Sequence, residues 1–206
     1  MNLVRNPSDA PLTSEDRAAI ARRALEAATR LAGRHGVKSS EPAVLAERYA
    51  LRVRLRPAPV VARVSTFTSL LREPIDAWLG RELDVSAFLH GRGAPVVPPS
   101  DLLPPGPHRE DGFAISLWSY VEPVSNELPG PEVAGRMLAE LHESLREYPG
   151  DLPHLAPPLN DIPRGLDRLE QMPAVLPASE LAMLRRVADR LLPALREAVS
   201  PAQTLH

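Results

Sequence analysis

Apolar residues recur along this chain with two periods, and the switches between them divide it into elements. After a polar lead, Thr13-Ser14-Glu15-Asp16 offers a helix N-cap, and Ile20, Ala21, Ala24, Ala28, Leu31 and Ala32 then fall on one helical face until Gly33 and Gly36. This spacing predicts a covering helix whose arginines form a solvated face. Across residues 43–66 the period becomes two. Leu51-Arg52-Val53-Arg54-Leu55-Arg56 sets leucine and valine on one side and three arginines on the other. Val60-Val61-Ala62-Arg63-Val64 likewise sets Val61 and Arg63 on one side and Val60, Ala62 and Val64 on the other. Two strands around Arg48-Tyr49-Ala50 and a proline-marked turn at Pro57 and Pro59 then give an antiparallel meander. The arginine row suits a solvated sheet face, with phosphate binding as the alternative.

Helical spacing returns after Pro74, a residue suited to a first helical position. Ile75, Trp78, Leu79, Val85 and Leu89 follow it until Gly91. Glu82 falls inside that stripe with Trp78, Leu79 and Val85 around it, so the pattern points its carboxylate inward, where an unpaired charge is costly. Arg63 is the expected partner; an ordinary ion pair tying helix to sheet is one reading of the two.

Residues 94–112 form a proline-rich connection ending in an Asp111-Gly112 turn, and residues 113–121, FAISLWSYV, read as a buried strand running into Glu122-Pro123. Pro131 opens a helix with Ala134, Met137, Leu138, Leu141 and Leu145 on one face, and His142 on it reads as a structural histidine. Asp161 is expected to cap a short helix around residues 163–171, with Asp167 a solvated position beside Arg168. Ser179 is expected to cap a longer helix through Leu192, which Pro193 bends or breaks.

Composition narrows the function. With 206 residues and 44% apolar content the chain holds a sizeable core, as one large domain or two small ones, and a net charge of −2 gives no footprint for nucleic acid or an anionic membrane. Small-molecule partners are the expectation. No cysteine is present, and neither a secretion signal nor an apolar run of membrane-span length occurs, so a cytoplasmic location is expected. Proline, at 24 residues, is about twice its usual share. Only one lysine, Lys38, stands among 24 cationic residues. No Walker loop, no dinucleotide fingerprint at Gly91-Arg92-Gly93, no H-E-x-x-H and no G-x-S-x-G occurs, which disfavours P-loop and Rossmann folds, metallohydrolases and serine hydrolases.

A strand-borne cation followed by an inward helix acid resembles the strand-to-helix ion pair of protein kinases and of the aminoglycoside phosphotransferase and choline kinase family. Val60-Val61-Ala62-Arg63 resembles their V-A-I-K with arginine in the lysine's place. The strand into Glu122-Pro123 resembles their last small-lobe strand and hinge, and AGRMLAELHESL resembles the A-G-x-x-L-A-x-L-H helix that follows it. The tail ending at His206 resembles the lead into the catalytic loop H-G-D-x-H-x-x-N. A glycine-rich turn after the first strand is missing, which weighs more against a protein kinase than against the small-molecule kinases.

The resemblance implies an α+β, protein-kinase-like fold: a small antiparallel-sheet lobe over residues 1–121, then a hinge and partial helical lobe over 122–206. It implies transfer of the ATP or GTP γ-phosphoryl group to a small-molecule hydroxyl, with Mg2+ in the parent enzyme. Nucleotide would lie against Val61, Arg63 and Glu82, with Ser119 and Val121 supplying a backbone acceptor and donor to the base. The working carboxylates would follow His206, so the chain itself is expected to be inactive. A non-catalytic nucleotide-binding or regulatory module and a structural interaction domain are the alternatives.

Overall fold

A computed structural model describes residues 13–123 and 129–197. Thr13 caps the first helix, α1 (Ser14–Arg34), through a reciprocal box with Asp16. Its small residues Ala24, Ala27, Ala28 and Ala32, with Leu31, are buried, and they let the helix lie close on the sheet. The arginines of α1 are not merely solvated. Arg23 bonds the Asp111 carboxylate at 3.0 Å, Arg30 bonds Glu110 at 3.3 Å and Arg34 pairs with Glu110, so this face is stapled to a distant hairpin.

The sheet is antiparallel and five-stranded, in the order β1-β2-β3-β5-β4. Its strands are β1 (Glu41–Glu47), β2 (Leu51–Arg56), β3 (Val60–Ser65), β4 (His108–Glu110) and β5 (Phe113–Ser119). Alternation decides its two faces. Leu51, Val53, Leu55, Val60, Ala62, Val64, Phe113, Ile115 and Leu117 face α1 and make one core with it. The other face carries Arg52, Val61, Arg63 and Trp118. Strand β4 and its pairing with β5 went unforeseen inside the proline-rich connection. The turn joining them is the Asp111-Gly112 dipeptide, both residues at positive φ, 49° and 80°. Strand β5 ends at Ser119, two residues short of the expected end, because the amides of Ser119 and Tyr120 bond Pro98 and Pro59 in different directions as the chain leaves the sheet.

The β1–β2 turn is anchored to the segment after β3. The Tyr49 carbonyl accepts the backbone amides of Phe67 and Thr68 and the hydroxyls of Thr66 and Thr68, at 2.9–3.2 Å. A short turn over Thr68–Leu70 then leads to α2 (Ile75–Gly91), with Pro74 at its N-cap, one residue ahead of the first helical position expected for it. Helix α2 lies on the second face of the sheet, where Ile75, Leu79 and Trp78 pack with Ala114.

The remaining chain is helical: α3 (Pro131–Leu145), one wide turn over Pro157–Asp161, α4 (Ile162–Glu170) and α5 (Ala178–Glu197). The amphipathic stripe of α3 is expected to be buried but is not. Only Leu145 is, and Val133, Met137 and Leu138 are exposed; among the described residues its anchorage lies at one end, where Tyr148 meets Phe88 edge-on. Leu166 of α4 packs with Ala188 and Leu192 of α5. Pro193 does not end α5, which continues to Glu197; a proline near a C-terminus forfeits one ladder bond and the helix can run on. Ser179 lies inside the helix and not ahead of it.

Candidate functional site

Between the second face of the sheet, α2 and the segment around residues 152–157 lies an open cleft of about 980 Å³, at the upper end of the range for small-molecule sites. Every residue singled out for the site in the described part of the chain lines it: Val61, Arg63, Glu82, Ser119 and Val121. His206 lies outside the described residues.

The cleft has two unlike ends, ordered by the elements that build it. On α2, successive turns present Trp78, Arg81 and Glu82, then Val85 and Ser86, then Leu89. On β3 the same direction runs from Arg63 to Val61, and Val61 is opposite Trp118 in the β3–β5 register. Ser86 donates to the Val97 carbonyl at 2.7 Å and so fastens α2 to the 96–99 segment, whose Pro98 and Pro99 carbonyls take the Ser119 amide at 3.1 Å and hydroxyl at 3.2 Å. One end is therefore apolar, walled by Val61, Val85, Leu89, Val96, Val97 and Trp118. The other end holds Arg52, Arg63, Arg72, Arg81 and Glu82.

At the apolar end the backbone of β5 leaves the sheet. The amides of Leu117 and Ser119 point away from β3, toward Pro105 and Pro98, whereas the Tyr120 amide points to Pro59 on the β3 side. By that alternation the Ser119 carbonyl and the Val121 amide share the edge away from β3. The Val121 amide has no hydrogen-bond partner among the described residues, and Val121 is exposed. An acceptor and a donor with no partner among the described residues thus stand side by side at the mouth of an apolar slot. The side chain of Ser119 contributes nothing there, since it is spent on Pro99.

At the charged end Arg63 and Glu82 are paired, as expected. The carboxylate is not buried in the core, however: its side chain keeps 41% of its exposure against 20% for Arg63, and it faces the cleft. Leu83 is the residue of that turn that goes inward. A pair so exposed contributes roughly 0.2–1 kcal/mol to stability, far less than is lost when one partner of a buried pair is removed. The arginine row of β2 is not a plain solvated face either. Arg52 lines the cleft, Arg54 lies over the Tyr120 ring at 3.5 Å and Arg56 bonds the Glu41 carbonyl at 3.1 Å.

Arg72 joins the two walls. It stacks on Trp78, 4.3 Å from the ring centre, and pairs with Asp161 at 2.7 Å, while Arg164 donates to the Leu71 carbonyl at 2.9 Å. Asp161 was expected to cap α4 but makes no capping bond; it turns toward Arg72. Its second oxygen is buried without a partner, and the desolvation holds its pKa above the ordinary Asp range despite the opposing pull of Arg72 and Arg164. Asp167 is solvated, as expected, and pairs at the surface with Arg185 at 3.0 Å. Neither the Arg72–Asp161 pair nor the wall at Leu152, Pro153, Ala156 and Pro157 had a sequence signal, because both depend on how residues some 80–90 positions apart meet.

Among the described residues no group of three or more His, Cys, Asp or Glu is placed to hold a metal ion. No helix among them is long and apolar enough to cross a membrane. No protein-family model, no curated protein and no solved structure matches this chain.

Proposed function

We propose that the cleft binds a purine nucleotide and that the chain is a kinase-like phosphotransferase module, whose parent reaction moves the γ-phosphoryl group of ATP or GTP to a small-molecule hydroxyl. The observation that carries this reading is the bipolar cleft. A flat heterocycle fits between Val61 and the apolar residues of α2 and the 96–97 segment, its hydrogen-bonding edge facing the Ser119 carbonyl and Val121 amide, while an anionic chain extends toward Arg63. The order of elements supports it: cation on a strand, acid on the next helix, then a strand that leaves the sheet as a hinge, all around one cavity.

The residues present do the work of binding and orientation. Glu82 holds the Arg63 guanidinium in place, so Arg63 meets a phosphate without first losing the freedom of a loose side chain. Arginine does this as a bidentate fork and not as lysine's point charge. Magnesium, when bound to such a nucleotide, neutralises charge on the phosphates. The described carboxylates do not form a set that fits it, and no step through it is assigned to them.

Calorimetry with ATP, GTP and adenosine tests the reading. Binding of at least one purine nucleotide is expected, weakened about tenfold or more by Val61→Phe, which fills the slot for the base. If no purine compound binds, or if Val61→Phe leaves the affinity unchanged, the base does not lie there.

A further inference from the structure

The charged end of the cleft carries more cation than its own acids neutralise. Arg52 of β2 stands directly opposite Arg63 of β3 in the strand register, on the face that lines the cleft. Like charges in directly opposed positions destabilise a strand pair. Glu82 answers Arg63 and Asp161 answers Arg72. Among the described residues Arg52 has no ion pair, hydrogen bond or ring partner, and the contact of Arg81 is with the face of Trp78, 4.8 Å from its centre. Stacking positions a guanidinium and leaves its edge N–H donors free for an anion.

We infer that Arg52 and Arg81 join Arg63 as an oligophosphate site, with a phosphate chain as the missing counter-charge. Two guanidiniums unanswered among the described residues, on two different elements that line the cleft with Arg63, suit an extended anion with several acceptor oxygens better than a single carboxylate. Chains of this kind come from a nucleotide or as free oligophosphate, and the site's chemistry is the same for both. The inference rests on the reading above only in naming a nucleotide as carrier. Arg52 and Arg81 would then carry out what a lysine-poor chain without a glycine-rich turn cannot delegate to those features.

Titration of the whole chain with ATP, tripolyphosphate and adenosine, in the parent and in Arg52→Gln, Arg81→Gln and Arg52→Lys, separates the possibilities. Each glutamine variant is expected to weaken ATP and tripolyphosphate about tenfold while leaving adenosine unchanged, and Arg52→Lys to retain part of the affinity. Both arginines are at the surface of the cleft, and unchanged thermal unfolding checks that the variants fold. If ATP binds and neither glutamine variant alters it, the inference is wrong and the nucleotide reading survives. If tripolyphosphate binds through these arginines but ATP binds no tighter and ignores Val61→Phe, the anion site stands and the nucleotide reading falls. Absence of binding by both phosphate compounds overturns the inference.

Discussion

Arg63 and Glu82 illustrate how a side chain's surroundings change what its partner is worth. With Glu82 facing the cleft, Arg63→Ala leaves a carboxylate that water can reach, so urea unfolding is expected to show a loss of about 1 kcal/mol or less. A loss of several kcal/mol would mean that the carboxylate is sealed off. Asp161 is the opposite case, since its exposure is small and one of its oxygens has no partner. A raised folded-state pKa means that the folded chain holds this proton more tightly than the unfolded chain does. Its contribution is fully present below the ordinary Asp range and is lost as pH rises through the raised value. Stability is therefore expected to carry a falling component over that window that Asp161→Asn removes; identical pH profiles of the two proteins would contradict it. Pairing of Arg63 with Glu82 was legible from alternation and helical spacing, but exposure was not. Glu82 lies in the apolar stripe, and a stripe on a helix beside a cleft borders both core and cavity.

Among the elements, those with local punctuation were the legible ones. Thr13, Pro74, Pro131 and the Asp111-Gly112 pair each set a boundary through their own backbone chemistry, and α1, α2, α3 and the start of β5 begin where they indicate. Gly112 stands at φ 80° with open space where a Cβ would go, so Gly112→Ala tests backbone conformation without a clash. A loss of roughly 1–2 kcal/mol is expected in thermal or urea unfolding, the cost of the left-handed region for an L-residue. No measurable change would show that the turn relaxes into another form. Strand β4 was hidden because three residues give no period to read. The stripe of α3 shows the converse limit: Ala134, Met137, Leu138 and Leu141 establish an amphipathic helix, but amphipathicity states what a face requires and not whether a neighbour meets it.

Across the whole molecule, the cleft gathers residues from β1 to the turn before α4, and its chemistry comes from that assembly. The family resemblance grouped Val61, Arg63, Glu82, Ser119 and Val121, and all five line this cleft; alternation and helix spacing by themselves gave only the pairing of Arg63 with Glu82. The pattern places Arg52 in a row that suits a solvated face or phosphate binding, and it assigns Arg81 nothing. Their significance depends on strand register and on the ring of Trp78, which no periodicity encodes. The anchorage at Tyr49 ties the β1–β2 turn to the segment that leads into α2. Four donors from Thr66, Phe67 and Thr68 converge on one carbonyl, so losing any one of them leaves the link in place. The approach to α2, which carries Arg81 and Glu82, is thereby tethered to the turn ahead of β2, which carries Arg52.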